Sequence, residues 1–403
     1  MLSENDIEKL IQPIVDRQQS ISDYVINKIA QRVKEIGHLL PSDVYKLERL
    51  LQSGSDVREI NAEIARLSGL NERDIKSLIR TVAEDSYLMV KPFYDYRQKP
   101  FISFEKNADL QRVVKAIAKQ TADTYVNLSQ SRAFMIRDLK NPSRLKPTSV
   151  SETYYSVVDE AIQATQSGTI DYGTAMRRTL QQLSDSGLRT VSYYPESGKV
   201  YTQQLDAAVK RNLLDGVRAV NQGVQDEVGK QYGADGKEIT VHEMSAPDHE
   251  PIQGHQFTNE EYEKLQNNEP FEDVNGRKFD AIERAIGEYN CRHFTYSIII
   301  GVNKPNYTQE QLDENIKRNH KGYTDASGKH RTLYECSQEQ RRMERDIRQA
   351  KRDILTGQQA GNSDMVASAR AKLSKRQKQY KAFSKACGLS TKPSNTRVQG
   401  FTR

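Results

Sequence analysis

The sequence predicts an α+β protein that is predominantly helical, with a helical N-terminal half, a small α+β module in the middle and a charged helical C-terminal extension. Three observations carry this. Apolar residues recur every three or four positions through most of the first 186 residues. Alternating and continuous apolar runs are confined to a stretch from about 187 to 305. After Pro305 the chain turns polar, and its helical pattern is carried by charged residues. A length of 403 residues exceeds what one compact core usually serves. The expected divisions are therefore 1–186, 187–305 and 306–403.

The first half reads as a succession of helices. Ile7, Leu10, Ile11, Ile14, Ile21, Val25, Ile29, Val33 and Ile36 share one stripe. Ser3-x-x-Asp6 resembles a capping box at its start, Pro13 is expected to kink or divide it, and Gly37-His38 and Pro41 to end it. A shorter helix with Val57, Ile60, Ile64 and Leu67 is expected to close at Gly69, and another to begin at Asn71. Residues 91–106 contain Pro92, Pro100 and several aromatics and read as a loop. Helical spacing returns at Leu110–Tyr125. Asn141-Pro142 and Lys146-Pro147 mark a break, and helices follow over about 151–167 and 171–186.

The texture changes near Gly187. Thr190–Tyr194 alternates like a strand. A long helix over roughly 202–232 presents Leu205, Val209, Leu213, Val217, Val220, Val224 and Val228 on one face, and Gly216 and Gly223 allow another element to approach closely. Glu238–Met244 and Tyr296–Val302 read as strands, separated by a loop-rich stretch. Ser337–Leu355 is a charged helix with a thin apolar face of Met343, Ala350, Ile347 and Ile354, and Glu344 stands four residues before Arg348. A turn at 357–362 leads to a basic helix over 364–387.

Composition narrows the function. The net charge is +6, but residues 341–403 hold 16 Lys+Arg and 4 Asp+Glu, which leaves the first 340 residues net −6. Lys372, Lys375, Arg376, Lys378, Lys381 and Lys385 crowd one segment, suited to nonspecific phosphate contact or to an acidic partner surface. Three scattered cysteines imply no disulfide framework and suit a reducing cytosol. The longest aliphatic run, Ile298–Ile300 followed by Gly301-Val302, is far too short to span a bilayer. The acidic, polar opening has no apolar leader. No membrane contact is expected.

Motifs for nucleotide and zincin chemistry fail. A phosphate-binding loop ending at Gly236-Lys237 would need Gly at 231 and Ser or Thr at 238, where Gln231 and Glu238 stand. Tyr323 and His330 fail likewise around Gly328-Lys329. His249-Glu250 opens an H-E-x-x-H pattern, but Gln253 holds the closing position. The histidine cluster is harder to set aside. His242, His249, His255 and His293 lie within about fifty residues, and Cys291-x-His293 at a strand entry puts both side chains on one face. A tetrahedral Cys/His₃ zinc site is chemically sensible. The favoured reading is that these residues, with Gln253, Gly254, Asn290 and Arg292, hydrogen-bond a long irregular loop to a small sheet. No metal, cofactor or catalytic residue is then assigned.

The stretch from His242 through Ser245-Ala246-Pro247-Asp248-His249 and Ile252-Gln253-Gly254 to Asn290-Cys291-Arg292-His293 resembles the phage minor capsid protein 2 family and, more distantly, the Mu F-like head-morphogenesis domain. The run from Tyr334 to Arg348 is similar to a second feature of these families, a Tyr…Gln-x-Gln-Arg…Glu-Arg-x-Ile-Arg helix. Two departures stand out: Ser245-Ala246-Pro247 occupies the place where an Arg often precedes the His, and the motif closes on His293 rather than Cys. The resemblance implies a low-copy structural component of the virion, near the portal or inner head, that is not an enzyme. Its implied partners are the portal or major capsid protein, with packaged DNA as a further contact for the basic tail, and assembly takes place in the host cytoplasm. Two competing readings remain. One is a metal-dependent hydrolase or nuclease-like enzyme built on His249, His255, Cys291 and His293. The other is a DNA-binding packaging accessory.

Overall fold

A computed structural model describes residues 4–37, 54–137, 144–167, 172–194, 199–273, 275–288, 291 and 293–401. In chain order the helices and strands are α1 (Glu4–Ile36), α2 (Ser55–Leu88), α3 (Lys91–Tyr96), α4 (Ala108–Gln130), β1 (Arg132–Arg137) and β2 (Leu145–Thr148). Then come α5 (Val150–Ser167), α6 (Tyr172–Ser186), β3 (Arg189–Tyr194), β4 (Lys199–Gln204) and α7 (Leu205–Tyr232). Next are β5 (Gly236–Ile239), β6 (Gln256–Thr258), α8 (Asn259–Gln266), β7 (Phe271–Glu272), β8 (Lys278–Phe279) and β9 (Thr295–Ile298). The chain continues with α9 (Gln309–Lys321), β10 (Tyr323–Thr324), β11 (His330–Arg331), α10 (Leu333–Gln359) and α11 (Ser363–Ala386). The fold is predominantly helical α+β with small antiparallel sheets, as the periodicity predicts. It divides into two compact units, each assembled from three separated segments.

One unit comprises 12–73, 124–210 and 340–403. Pro13 sits inside α1 without dividing it. An interior proline costs about 3 kcal/mol, and the buried stripe of Ile14, Ile21, Val25, Ile29, Val33 and Ile36 offsets this at about 1.5–3 kcal/mol per side chain. The capping residue Ser3, His38 and Pro41 lie outside the described residues. Gly69 does not close a helix either: α2 runs through it. The stripe Ile60, Ile64 continues through buried Asn71 to Ile75, and Asn71 is satisfied by Arg17 (2.8 Å) and Tyr125 (3.0 Å). A polar residue at a core position thus disguised one helix as two. Open space surrounds the position of a Cβ at Gly69. Gly69→Ala is therefore expected to stabilise the protein by about 0.5–1 kcal/mol, seen as a raised urea midpoint with unchanged slope.

The sheet of this unit has the order β2-β1-β3-β4, antiparallel throughout. Residues 145–148, expected within a break, form its edge strand, where Pro147 opposite Met135 is tolerated. β4 extends to Gln204, so the following helix begins at Leu205 rather than 202. At the C-terminal end, Ile347, Ala350 and Ile354 of α10 pack on Ala369, Leu373 and Tyr380 of α11. Glu344 is buried and accepts hydrogen bonds from Tyr380 and Asn395, both at 3.0 Å, and its charge also acts on Arg348, the expected partner one turn on.

The other unit comprises 1–11, 74–123 and 211–339. All seven predicted stripe residues of α7 are buried, the last five of them, Leu213 to Val228, in this unit. Residues 91–106 contain α3 and a short 3-10 turn at Phe104–Lys106 rather than a plain loop. Tyr87 stacks on Phe101 with centroids 4.7 Å apart, and Tyr94 packs edge-on to both Phe101 and Tyr232. A three-stranded sheet of order β6-β5-β9 forms the centre of the α+β module. α8 and α9 were not anticipated, yet each starts with a capping box, Thr258/Glu261 and Thr308/Gln311.

Candidate functional site

The site grows out of the three-stranded sheet. Beyond β5, Thr240 N–H donates to Phe294 O (3.0 Å), and Phe294 N–H returns a bond to Thr240 Oγ1 (3.2 Å), which fixes the approach to β9. The intervening loop folds back at Gly254, whose φ of +75° favours glycine and whose N–H reaches Ile239 O at 2.9 Å. Cys291 lies in a small core with Ile239, Ile252, Phe257, Leu265, Phe279, Ile282 and Ile286.

Three predicted residues meet there. Cys291 Sγ stands 3.5 Å from His249 Nδ1 and 3.6 Å from His293 Nδ1. All three residues are buried, at 6%, 1% and 4% exposure, and their donor atoms lie within 4.8 Å of one another. His249 Nε2 faces Arg284 O at 2.8 Å, and His293 Nε2 faces Gln253 Oε1 at 3.3 Å. Gln253 also accepts the His242 backbone N–H at 3.0 Å. The His242 ring stands edge-on to that of His293, centroids 4.8 Å apart.

Electrostatics follow from burial and contact. Burial pushes the His249 imidazole down, but the Cys291 thiol and the Arg284 carbonyl outweigh it and leave its pKa above the ordinary value. Burial pushes the Cys291 thiol up, yet His249 and backbone donors bring it below the usual thiol range. His293 is driven down to about 2 by burial and by the nearby His242 and His249. It is a neutral imidazole across the physiological range.

His255 does not join the group. His255 follows the turn at 251–254 and stands just before β6, where other side chains hold it. Its Nδ1 accepts from Arg277 at 2.8 Å, and its ring packs against Phe257 and Phe279. Burial and Arg277 lower its pKa to about 4. Asn290 and Arg292 lie outside the described residues. Sequence reasoning gave no supporting role to Arg284, Asp248 or Glu250. Arg284 clamps Asp248 through two bonds of 2.9 and 2.8 Å, while its carbonyl holds His249. Buried Glu250 accepts from Asn319 (2.7 Å) and pairs with His320 (2.8 Å), tying α9 to the loop. The only sequence signal for these was their charge inside a loop that must be held in place.

The second predicted surface lies on α11. Lys372, Lys375, Arg376, Lys378, Lys381 and Lys385 are all exposed. At 100° per residue, Lys375, Lys378 and Lys385 fall opposite the buried face of Ala369, Leu373, Tyr380 and Ser384, and Lys381 lies on its flank. The helix has seven basic residues and one acidic residue, Asp364. Arg376 Nε lies 3.6 Å from Asp346 of α10.

Comparison with known proteins decides the class. The family model for phage minor capsid protein 2 matches residues 2–385, nearly the whole chain. The chain belongs to this family. It is thus a phage minor capsid protein, a virion structural component, and the match covers both the buried His/Cys group and most of α11. No curated protein and no solved structure matches it. None of the described helices is long and apolar enough to cross a membrane.

Proposed function

We propose that this minor capsid protein is a low-copy, non-catalytic component of the phage head. On this reading it sits beside the portal or against the inner head shell, with the portal or major capsid protein as its partner. Residues 1–186 supply the helical docking surface, 187–305 the Mu F-like module, and 306–403 the basic end that meets packaged DNA. The carrying observation is the α11 face: one side is packed on α10, and the other presents Lys375, Lys378 and Lys385 with Ala371 and Ala382 between them. Such a stripe contacts a polyphosphate backbone without reading sequence. The buried His/Cys group supports a non-catalytic role, because at 1–6% exposure its side chains are closed to a substrate.

The DNA contact has a direct test. Substituting Lys375, Lys378, Lys381 and Lys385 together by Gln is expected to weaken retention on duplex DNA at low salt. If all four contact phosphates, the slope of log affinity against log salt becomes shallower by about 3.6, at about 0.9 per contact. An unchanged slope would assign the stripe to an acidic protein surface instead. Placement in the head is tested by the ratio of this chain to the major coat protein in purified heads. A few copies per head are expected, and absence from heads would end the reading.

A further inference from the structure

We propose that His249, Cys291 and His293 form a closed structural site for a zinc(II)-class cation, which staples the loop following β5 to the entry of β9.

The argument is a count of protons. Arg284 O can only accept, so a neutral His249 must carry its proton on Nε2. The Gln253 amide is oriented by the His242 backbone N–H, which needs an oxygen; that same oxygen faces His293 Nε2, so His293 also carries its proton there. Both Nδ1 lone pairs then point at one sulfur, at 3.5 and 3.6 Å. A thiol has one hydrogen and can satisfy only one of them. Moving that proton onto His249 does not help, because the His293 lone pair then faces a thiolate. In a buried site an unsatisfied acceptor is costly. Hydrogen bonding alone, the reading favoured by the sequence, leaves this group one proton short.

A cation resolves the conflict. A thiolate and two neutral imidazoles are a zinc donor set, and Zn–S and Zn–N bonds of about 2.3 and 2.05 Å at a tetrahedral angle set an S···N edge of about 3.6 Å. Both observed S···N distances match that edge, and the two imidazole nitrogens, within 4.8 Å of each other, would have to close to a tetrahedral N···N edge of about 3.3 Å. The outer bonds have the form expected around metal-bound histidines: each imidazole gives its remote N–H to a carbonyl-type oxygen, fixing the tautomer and the ring plane. Asp248, 3.6 Å from His249 Nε2, adds negative charge behind the group. His242 stands edge-on to His293, with its Nε2 3.3 Å from Thr240 Oγ1, and is the nearest further imidazole to the group. Burial makes the site a closed one, suited to structure rather than to activating water.

The test uses the purified full chain. Freed of loosely held metal, it is expected to contain one zinc per chain. Exchange with Co²⁺ should give the visible bands of a tetrahedral ion and a thiolate-to-metal band in the near ultraviolet. Cys291→Ser should abolish the thiolate band, whereas Cys336→Ser and Cys387→Ser should leave it intact. His293→Cys guards against a variant that merely fails to fold: it should keep one metal per chain and strengthen the thiolate band, which a hydrogen-bonded clasp has no reason to do. Chelation should lower the melting temperature, and Zn²⁺ should restore it. Wild-type chain without stoichiometric metal, a cobalt spectrum lacking the thiolate band, or a melting temperature indifferent to chelator and Zn²⁺ would each overturn the proposal.

Discussion

Asp23→Asn is expected to stabilise the protein above neutral pH by up to about 4 kcal/mol and to have little such effect near pH 4. Asp23 lies in the unit formed by 12–73, 124–210 and 340–403, beside a cavity of about 10 Å³, roughly one water position, lined also by Gln18, Gln19, Gln204, Asp206 and Arg352. Two carboxylates share the positive charge there. Burial works against Asp206 too, but Arg352 and Arg348 outweigh it and hold its carboxyl below the usual range; Gln19 (3.2 Å) and the Ala207 N–H (2.9 Å) hydrogen-bond to it. Asp23 is less well served. Its Oδ2 is buried without a hydrogen-bond partner, and burial raises its pKa to about 7, with Arg352 opposing and Asp206 reinforcing the rise.

The sign follows from the proton each state holds. Below the unfolded value of 3.8 both states are protonated and Asp23 costs nothing. Between 3.8 and about 7 the unfolded chain releases its proton while the folded chain keeps it, so stability falls as pH rises. Above about 7 the loss is complete and constant. A shift of about three units at 1.36 kcal/mol each sets the upper bound of about 4 kcal/mol. Urea denaturation of both proteins from pH 4 to pH 8 gives the difference, in which other titrating groups cancel. That difference should grow with pH and level off near 7. A difference that stays flat would mean that Asp23 is ionised in the folded protein at an ordinary pKa.

Such a carboxylate is invisible in the sequence, and the reason is general. Periodicity reports which face of a helix is buried, and it located Val25, Ile29 and Val33 of α1 and the whole stripe of α7 correctly. It cannot report what a polar residue on that face meets. Asn71 interrupts the α2 stripe because Arg17 and Tyr125, distant in sequence, satisfy it; Asp23 is buried beside Arg352, more than three hundred residues away. The same limit hid the interleaving of three segments in each compact unit, which depends on long-range packing. Short elements were lost for another reason. β2 and β4 lie where Pro and polar residues dominate, and pairing with a neighbour strand defines them more than their own composition.

The candidate site was legible to a similar depth. Cys291-x-His293 ahead of a strand predicted a shared direction for two side chains, and their contact is observed. His249 and His255 were equivalent on spacing alone; only the folded loop sets His249 against Cys291 and His255 against Arg277. The oxygens of Arg284 and Gln253 that orient the imidazoles become apparent only once the loop is folded.

The two glycines of α7 carry the last large effect. In the unit formed by 1–11, 74–123 and 211–339, a Cβ at Gly216 would lie 2.6 and 2.7 Å from Thr121 and 3.1 Å from Ile79; at Gly223 it would lie 2.8 Å from Val113 and 2.9 Å from Ile117. These distances are shorter than carbon–carbon contact allows, so α4 must shift or its side chains must leave their rotamers. Substitution by Ala has two opposed consequences. The helix gains about 1 kcal/mol in propensity, and overpacking costs about 1–3 kcal/mol, so single Ala variants should change stability by only a little. Leu removes the ambiguity: its branched end has no space along this crossing, and its propensity gain is no larger than that of Ala. The sites are two turns apart, about 10.5 Å at 1.5 Å per residue, so their costs should nearly add. With overpacking at the upper end of about 3 kcal/mol for a side chain this large and a propensity gain of about 1 kcal/mol at each site, Gly216→Leu with Gly223→Leu is expected to destabilise by about 4 kcal/mol, close to the lower end of an ordinary stability margin. Denaturant titration of each single variant and of the pair measures this. Destabilisation by the pair of less than about 1 kcal/mol would show that α4 and α7 are not held as closely as the glycines permit.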